Sequence, residues 1–402
     1  GLGRVRRRVF QTGAGVGVNS DAFYVEDRWQ ITDSFMFYGG LRWDSFENLN
    51  GFGESFVKID NQIAPRVGFS WDVKGDSSFK VFGNAGRYAL PLTATVAVRG
   101  ASASLYSEEF YSYTGVDPLT GAPTGLVNRG NPNCGGCDTR YLNNEFGVGK
   151  DPVGIADQNL DPMYQDEYII GFQTQITDAL TGGVRGIHRD LKRAIDDQCD
   201  YRPVLAWAEE NGFDVSDPFS APPATPDGAA HVYNPGFAFC HLYNPGSDAT
   251  FLVDIDGNGT NETVHIAADV LGPKAIRKYN AIEFFAEGSW DNFFMQGSWT
   301  IAHSYGNTEG GVKSDIGQDD TGTTQDFDYP ELAVGSYGDL PNDRRHSLKL
   351  FGNYSVNDEW SIGGNLLVQS GRPINCIGYR GGSHTSTYGA SYFSCDPGPT
   401  AT

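Results

Sequence analysis

Strict alternation of apolar and polar side chains is the feature that most constrains how this chain folds. Residues 62–73 show it clearly. Their apolar positions are Ile63, Pro65, Val67, Phe69, Trp71 and Val73, and the polar positions between them include Gln62, Arg66, Ser70 and Asp72. Because successive side chains of a β-strand project to opposite sides, such a segment has one apolar and one polar face. No comparable stretch follows the period of an α-helix, so the sequence predicts an all-β chain.

The same alternation recurs along the chain and predicts ten strands. They lie near residues 20–31, 34–46, 60–73, 77–89, 164–177, 180–190, 278–290, 292–305, 344–356 and 359–370. A tilted strand needs about nine to eleven residues to cross the hydrocarbon of a membrane, and these segments reach that length. Tryptophans stand within or at the ends of the segments, where the aromatic girdles of membrane barrels occur. They are Trp29, Trp43, Trp71, Trp290, Trp299 and Trp360.

The connections between the predicted strands alternate between short and long. Tight polar turns stand at 31–34, 74–77, 176–179, 290–292 and 356–359. Long connections stand near 46–60, 90–163, 191–277, 306–343 and 371–402. This is typical of a transmembrane antiparallel up-and-down β-barrel, whose periplasmic turns are short and whose extracellular loops are long. A soluble β-sandwich does not segregate its loop lengths in this way.

Charge and hydropathy exclude two classes of protein. The chain has 29 Lys and Arg against 50 Asp and Glu, which gives a formal net charge of −21. Nucleic acid is therefore not an expected partner, because phosphate binding needs a clustered basic face. The basic run Arg4, Arg6, Arg7 and Arg8 is interpreted as a solvated loop end. No apolar run of about 18 residues occurs, so no transmembrane helix is predicted.

Six cysteines fall in the predicted loops. Neighbours along the chain suggest three disulfides, Cys134 with Cys137, Cys199 with Cys240, and Cys376 with Cys395. An even number of cysteines confined to loops is typical of an oxidising compartment. Since six cysteines allow fifteen connectivities, pairing by proximity is a hypothesis. A redox or zinc role for Cys134 and Cys137 is the weaker alternative, because no helix begins there and no second such pair exists.

One loop segment has the oxygen-ligand spacing of a calcium-binding loop. Its candidate ligands are Asp254, Asp256, Asn258, Thr260 and Glu262. Position twelve holds His265 where an EF-hand has a bidentate glutamate, and the flanking residues 251–253 and 264–266 alternate like strands. Two interpretations stay open: a hairpin stabilised by structural calcium in an outer loop, or a plain turn rich in Asp, Asn and Gly. No catalytic set of residues stands out, and an enzyme is not predicted.

Several segments resemble the Oar-like branch of the TonB-dependent receptors. They are residues 64–72 (Ala-Pro-Arg-Val-Gly-Phe-Ser-Trp-Asp), 157–162 with 165–168, 189–197, 342–346 (Asn-Asp-Arg-Arg-His) and 369–373 (Gln-Ser-Gly-Arg-Pro). They occur in the order expected along the barrel of that family and span most of residues 20–375. The resemblance implies a barrel of about 22 strands in the outer membrane of a Gram-negative bacterium, plugged by an N-terminal globular domain.

The resemblance also implies a function and a set of partners. Receptors of this kind take up scarce ligands with energy passed from the inner membrane through TonB. The expected partners are outer-membrane lipid, the protein's own plug domain, TonB and an unidentified ligand, and no cofactor is required. The chain shows no TonB box, no recognisable plug and no closing C-terminal strand. We therefore interpret residues 1–402 as an interior part of a larger barrel, comprising about ten strands.

Side chains on the polar faces of the strands are expected to line the barrel lumen. They are Arg42, Arg66, Glu167, Gln173, Glu283, Glu287, Gln296 and Lys349. Their expected role is to hydrate the interior and to contact the plug. A direct role in the passage of substrate is the less favoured alternative. Two further classes stay open on sequence grounds. One is a structural or adhesive surface barrel without energised transport, and the other is a secreted β-rich binding protein or enzyme.

Overall fold

A single long antiparallel sheet forms the frame of the molecule. The computed structural model describes residues 3–132, 135–213, 240–318, 322–378 and 391–393. Ten strands of the sheet follow one another in chain order. They are β1 (Gly17–Thr32), β2 (Phe35–Leu49), β3 (Ser55–Asp72), β4 (Phe79–Leu90), β5 (Met163–Thr177), β6 (Leu180–Arg193), β7 (Arg277–Ser289), β8 (Phe293–Gly306), β9 (His346–Ser355) and β10 (Ser361–Gln369).

Each strand pairs with the next one along the chain, so the topology is an up-and-down meander. The ten strands coincide with the ten predicted segments, and several run a few residues further into the long connections. Short turns join β1 to β2, β3 to β4, β5 to β6, β7 to β8 and β9 to β10, and long connections follow β4, β6 and β8. The connection expected to be long near 46–60 is only residues 50–54, because β2 and β3 both extend into it. The wall of the fold is therefore an all-β antiparallel sheet with its long loops on one side, as the alternation predicts.

Cross-strand register keeps the two faces of the sheet distinct. Val67 pairs with Ala85, which pairs with Tyr168, and all three lie on the apolar face. The neighbouring row, Arg66, Gly86 and Glu167, lies on the polar face. Since a slip by one residue would exchange the faces, the matched register shows that the hydrophobic pattern of each strand agrees with that of its neighbours.

The long connections fold into small elements of their own. The largest is a sheet in which Leu105–Tyr113 pairs with Gly3–Gln11, Arg140–Phe146 and Val127–Asn128. Shorter pairs are Asp196–Gln198 with His241–Tyr243, Ala249–Val253 with Glu262–Ile266, Gly115–Val116 with Pro123–Thr124, and Cys376–Gly378 with Ser391–Phe393, while Gly338–Asp339 pairs with β8. The α-helices are Val96–Gly100, Arg202–Glu210 and Ala268–Leu271, and 3₁₀-helices span Pro152–Gly154, Ser314–Ile316 and Pro330–Ala333.

The α-helices are short and lie in the connections between the wall strands. Arg202–Glu210 begins with a proline in its first turn, packs Val204 and Ala208 inward, and ends before Gly212, whose φ is 85°. Sequence alternation did not predict this helix, since two buried residues four apart are too few to show a period. In the described residues, no helix has both the length and the apolar character needed to cross a membrane.

The arginine run is exposed, as expected for a solvated segment, but the prediction that it is a loop end is wrong. Gly3–Gln11 is a strand in register with Leu105–Tyr113. Arg8 and Arg6 contact Glu108 at 3.0 and 3.5 Å, and Arg7 contacts Glu109 at 3.3 Å. The arginines thus pair with two glutamates that lie about a hundred residues away in sequence. A count of local charges cannot reveal such a distant pairing.

The hydrophobic core of the molecule lies in its loops. We use "loop layer" for the described residues of the connections 91–162, 194–276 and 307–345 together with strand Gly3–Gln11. One buried cluster centres on Phe251, Val253, Val264 and Tyr243 and includes Phe327. A second joins Phe56, Leu92, Ala97, Ile155 and Leu242. Because each cluster draws on more than one connection, the long loops pack against one another.

Candidate functional site

The polar face of the sheet brings the predicted lumen residues together. Registers across β2 to β9 place on that face Arg42, Arg66, Glu167, Gln173, Glu283, Glu287, Gln296 and Lys349. Several of their charges are neutralised within the wall. Arg185 donates to Glu283 at 2.6 Å, and Arg189 on β6 pairs with Glu167 on β5. Arg42 contacts Asp44 at 2.8 Å. The polar face therefore combines paired charges with neutral hydrogen-bonding groups.

A hollow of about 770 Å³ lies on the polar face between β5 and β10. Its lining includes Arg185, Glu287, Gln296, Lys349 and Asn365. In the described part of the chain, the side chains of Glu287, Gln296 and Lys349 have no hydrogen-bond or ion-pair partner. These groups remain able to bind water or a polar protein surface.

The loop layer covers the ends of the strands on the side of the long connections. At those ends Asp44 and Gln62, both on the polar face, are only 4% exposed. Asn48 donates to the carbonyl of Leu92 at 3.2 Å, which ties β2 to the β4–β5 connection. The loops thus fold over the polar face at its outer end.

Buried polar contacts join the separate connections of the loop layer. The Thr324 amide and hydroxyl donate to Asp196 at 2.7 and 2.9 Å, which links the β8–β9 connection to the β6–β7 connection. Arg99 forms a two-point contact with Glu145 at 2.8 and 2.9 Å inside the β4–β5 connection. Lys313 and Asp326 form a buried ion pair. The Asp196–Thr324 contact therefore fixes two connections as neighbours. The Arg99–Glu145 and Lys313–Asp326 pairs each hold one connection in its conformation, because breaking a buried pair leaves an uncompensated charge.

Burial shifts the pKa of two loop groups strongly. Burial, together with the nearby Asp326 and Asp328 carboxylates, raises the pKa of Asp196 to about 8. Burial lowers the pKa of His241 to about 4, and its Nδ1 donates to the Gly154 carbonyl at 2.8 Å. His241 is therefore neutral at pH 7, whereas Asp196 holds its proton over most of the physiological range.

The candidate calcium residues form the turn of a hairpin between Ala249–Val253 and Glu262–Ile266. Their oxygens accept local hydrogen bonds: Asp254 from the Gly259 amide at 2.9 Å, Asp256 from the Asn258 amide at 3.1 Å, and Glu262 from the Ile255 amide at 2.9 Å. Asn258 accepts from the Thr260 amide at 2.7 Å. Asp254 Oδ1 is buried without a partner. Calcium binding by this turn stays a prediction.

One disulfide joins Cys199 to Cys240, whose Cα atoms are 4.4 Å apart. It ties the two strands Asp196–Gln198 and His241–Tyr243 together at the centre of the loop layer. Cys137 and Cys376 are also disulfide-bonded. Their expected partners, Cys134 and Cys395, lie outside the described residues. Asp197 lies beside Cys199 and Cys240, but both sulfurs are engaged in the disulfide and do not form a metal site.

Comparison with known proteins identifies the class to which this wall belongs. Residues 5–236 match the family described as "TonB dependent receptor-like, beta-barrel". The chain is 24% identical over 370 residues to the TonB-dependent transporter Oar of Myxococcus xanthus, with 88% of this chain and 30% of that protein covered. The chain thus spans about a third of the length of that relative.

Solved structures of outer-membrane proteins are also similar to the chain. The outer membrane transporter YddB from Escherichia coli is 10% identical with a TM-score of 0.45, and the match covers 94% of this chain and 46% of that one. The ferripyoverdine receptor of the Pseudomonas aeruginosa outer membrane is 11% identical with a TM-score of 0.41, and the match covers 91% of this chain and 30% of that one.

The fold and the matches define a transmembrane wall of the outer-membrane barrel class. Because the family model covers more than half of the chain, the chain belongs to the TonB-dependent receptor β-barrel family. Proteins of this family are receptors and transporters in the outer membrane of Gram-negative bacteria, and this chain is located there. In barrels of this class the apolar face of the wall faces lipid and the polar face faces the lumen.

Some features of the site were missed by reading alternation alone. His188, Asn280 and His303 stand on the apolar face, where the pattern leads one to expect apolar side chains. Ile187 and Phe285 stand on the polar face. The sequence did contain a signal for the first set, because each residue directly continues the alternation of its strand. His188 follows Gly186 by two residues, Asn280 precedes Ile282 by two, and His303 follows Ile301 by two. The buried Asp196 had no signal, since its surroundings come from another loop.

Proposed function

We propose that this chain supplies barrel wall and extracellular loops to a TonB-dependent transporter, which takes up a ligand that the loops capture. One observation carries the proposal: ten consecutive strands keep apolar side chains on one face and charged side chains on the other. A wall of this kind suits a barrel that separates lipid from a hydrated interior. Membership of the receptor family and the similarity to the transporter Oar support the same role.

The polar face is proposed to contact the protein's own plug domain and lumen water. The hollow of about 770 Å³ offers hydrogen-bonding groups from Glu287, Gln296 and Lys349 to such a surface. TonB is the energy-coupling partner, and a closed barrel of about 22 strands is the expected whole. We assign no catalytic step to the chain, since the proposed role needs binding and passage only.

The loop layer is proposed to present a preformed surface to the ligand. Its connections share two hydrophobic clusters, the Asp196–Thr324 contact and the Cys199–Cys240 disulfide. Ordering costs are small for a surface that is already packed, so capture does not require the loops to fold first. The ligand itself is unidentified.

Energised uptake is tested by depletion of small molecules from a defined growth medium. Cells that carry the whole protein are compared with cells that lack it, each with and without a functional TonB, and the medium is followed by mass spectrometry. We expect at least one compound to be depleted only when both proteins are present. Equal depletion without TonB, at equal surface abundance of the receptor, would contradict energised uptake and favour a structural or adhesive barrel.

A further inference from the structure

A groove of about 890 Å³ crosses the apolar face of the sheet. Its floor contains Gly83 and Gly186, which flank Ile170 in one row of the register. Phe69 and Ile282 continue the row on either side. The Phe69 ring covers Gly83, where an added Cβ would come within 2.7 Å of it, whereas the surface is recessed at Gly186. A Cβ added at Gly186 would come no closer than 3.9 Å to the Ile170 carbonyl oxygen, so the recess is open space.

A polar rim borders the groove on the side of the loop layer. The next row of the register reads Tyr168, His188, Asn280 and His303, and His346 stands beside Ile301. Two of the seven histidines of the chain, His188 and His303, therefore lie in the rim row, and His346 ends the row of Gly186 and Ile282. Isolated polar groups are costly in contact with hydrocarbon, so the rim marks where the hydrocarbon ends.

The rim lies at the height expected of the outer membrane–water interface. Below it, the apolar face of β7 and its turn runs from Ile282 to Trp290. At about 3.3 Å per residue and a tilt of about 40°, this length spans roughly 20 Å of membrane, close to the ~25 Å apolar band of barrel proteins. Lipid headgroups of the outer leaflet are therefore level with the rim, and acyl chains are level with the glycine floor.

Neighbouring side chains orient His188 and His346, and ring nitrogens of both remain available for hydrogen bonds. Asn280 donates to the Tyr305 hydroxyl at 3.4 Å, so its Oδ1 accepts from His188 Nδ1 at 2.7 Å. His188 stacks on Tyr168 with ring centroids 6.1 Å apart, and His346 stacks on Trp299 at 5.9 Å. Within the described chain, His188 Nε2 and both ring nitrogens of His346 have no hydrogen-bond partner.

Charges just beyond the rim favour an anionic headgroup. Lys278 lies one row further out than Asn280 and makes no ion pair in the part of the chain that the structure describes. The acids nearest to it are already neutralised. Asp190 pairs with Lys192, and Asp339 accepts from Arg345 and His303, each at 2.8 Å. One free ammonium and the oriented imidazole of His188 on the neighbouring strand are suited to a phosphate.

We propose that this groove binds one phosphate-bearing lipid of the outer leaflet, with an acyl chain over Gly186 and the phosphate at His188 and Lys278. The site is independent of the ligand that the transporter takes up, because it lies on the lipid face and the ligand path lies on the polar face. The bound lipid fills a recess that side chains leave empty, and so completes the surface of the wall.

Native mass spectrometry of the detergent-purified protein tests the site, with phosphatidylglycerol as the probe and a neutral galactolipid as the comparison. The wild-type protein should retain one phosphatidylglycerol more strongly than any further lipid. Gly186→Leu fills the recess and should weaken that retention about tenfold, as expected for loss of a few methylene contacts. Gly364→Leu is the matched control, because Gly364 also has open space around it on the apolar face but lies outside the groove.

A second variant distinguishes the contribution of the headgroup to binding from that of the acyl chains. His188→Ala with Lys278→Ala should abolish the preference for phosphatidylglycerol over the galactolipid while leaving acyl-chain binding. Heat-modified migration in detergent gels monitors folding of every variant. Equal weakening by Gly186→Leu and Gly364→Leu, or an unchanged lipid preference in the His188→Ala and Lys278→Ala variant, would overturn the proposal.

Discussion

The wall and the loop layer bury their side chains in different ways. Ile282 and Phe284, in the middle of the sheet, are 51% and 40% exposed, whereas Phe251 and Val264 in the loop layer are fully buried. The wall therefore leaves large apolar side chains uncovered by the chain itself, as expected for a sheet that needs lipid on one face. The loop layer has a core of its own, as a soluble domain does. The two regions of the chain are therefore stabilised differently: the wall by pairing of its strands, and the loop layer by burial of its own apolar side chains.

The largest expected effect comes from removing an aromatic ring from each region. Phe251→Ala should destabilise the loop layer by about 3–5 kcal/mol, because it leaves a cavity in a packed core. Phe284→Ala should cost much less, since lipid fills the space left on the wall. Limited proteolysis of the loops and heat-modified gel migration of the barrel measure the two regions separately. Equal effects of the two substitutions would mean that the regions do not differ as described.

The disulfide should matter for the loop layer and not for the wall. Cys199 and Cys240 are 41 residues apart in sequence, and Cys199→Ser with Cys240→Ser should cost about 2–4 kcal/mol by freeing that span in the unfolded state. Proteolysis within the loop layer should accelerate, and barrel migration should stay unchanged. Loss of the heat-stable barrel band in this variant would show that the wall needs the loops to fold.

The buried Asp196 should make the loop layer sensitive to pH. Its pKa is about 8 in the fold against 3.8 for a free side chain, so the folded state holds the proton more tightly. The stability that this gives is full at low pH and is lost as the pH rises toward about 8. Asp196→Asn keeps groups that can contact Thr324 and should gain on the order of 2 kcal/mol over the wild type at pH 8.5. Urea unfolding of the loops at pH 6 and pH 8.5 measures this, and an identical pH slope in both proteins would refute it.

Calcium should produce the smallest effect. If Asp254, Asp256 and Glu262 bind the ion, calcium should slow proteolysis at the hairpin turn 254–261, with a gain of about 1 kcal/mol at tenfold excess over the dissociation constant. Asp254→Asn should remove the effect. No difference between calcium and chelator would leave the turn as a plain hairpin held by its own hydrogen bonds.

The same contrast explains what the sequence could predict. The wall was predictable because each of its strands carries the same period, so that Ile63, Val67 and Trp71 reveal a face without reference to any other part of the chain. Matched registers then follow from the need to keep such faces aligned. The eight predicted lumen residues lie on one face for this reason, and a count of strands needed only the spacing of short and long connections.

The loop layer was not predictable in the same way. Asn48 lies on the polar face of β2 yet is fully buried, and its amide donates to the Leu92 carbonyl of the β4–β5 connection. Strand Gly3–Gln11 depends on Glu108 and Glu109, and Asp196 depends on Thr324, more than a hundred residues away. Local sequence carries no period for such contacts. The proximity of Cys199 and Cys240 was the one local clue to how these loops are tied.

The central claim is that alternate residues of the wall face lipid and lumen, and a scan of spin labels on β7 tests it most directly. Single cysteines replace residues 280 to 286 in the whole protein, and each label is probed with oxygen and with a water-soluble nickel chelate. Oxygen should relax the labels at 282, 284 and 286 more strongly, and the chelate those at 281, 283 and 285. A ratio that does not alternate with a period of two would contradict the assignment of the two faces.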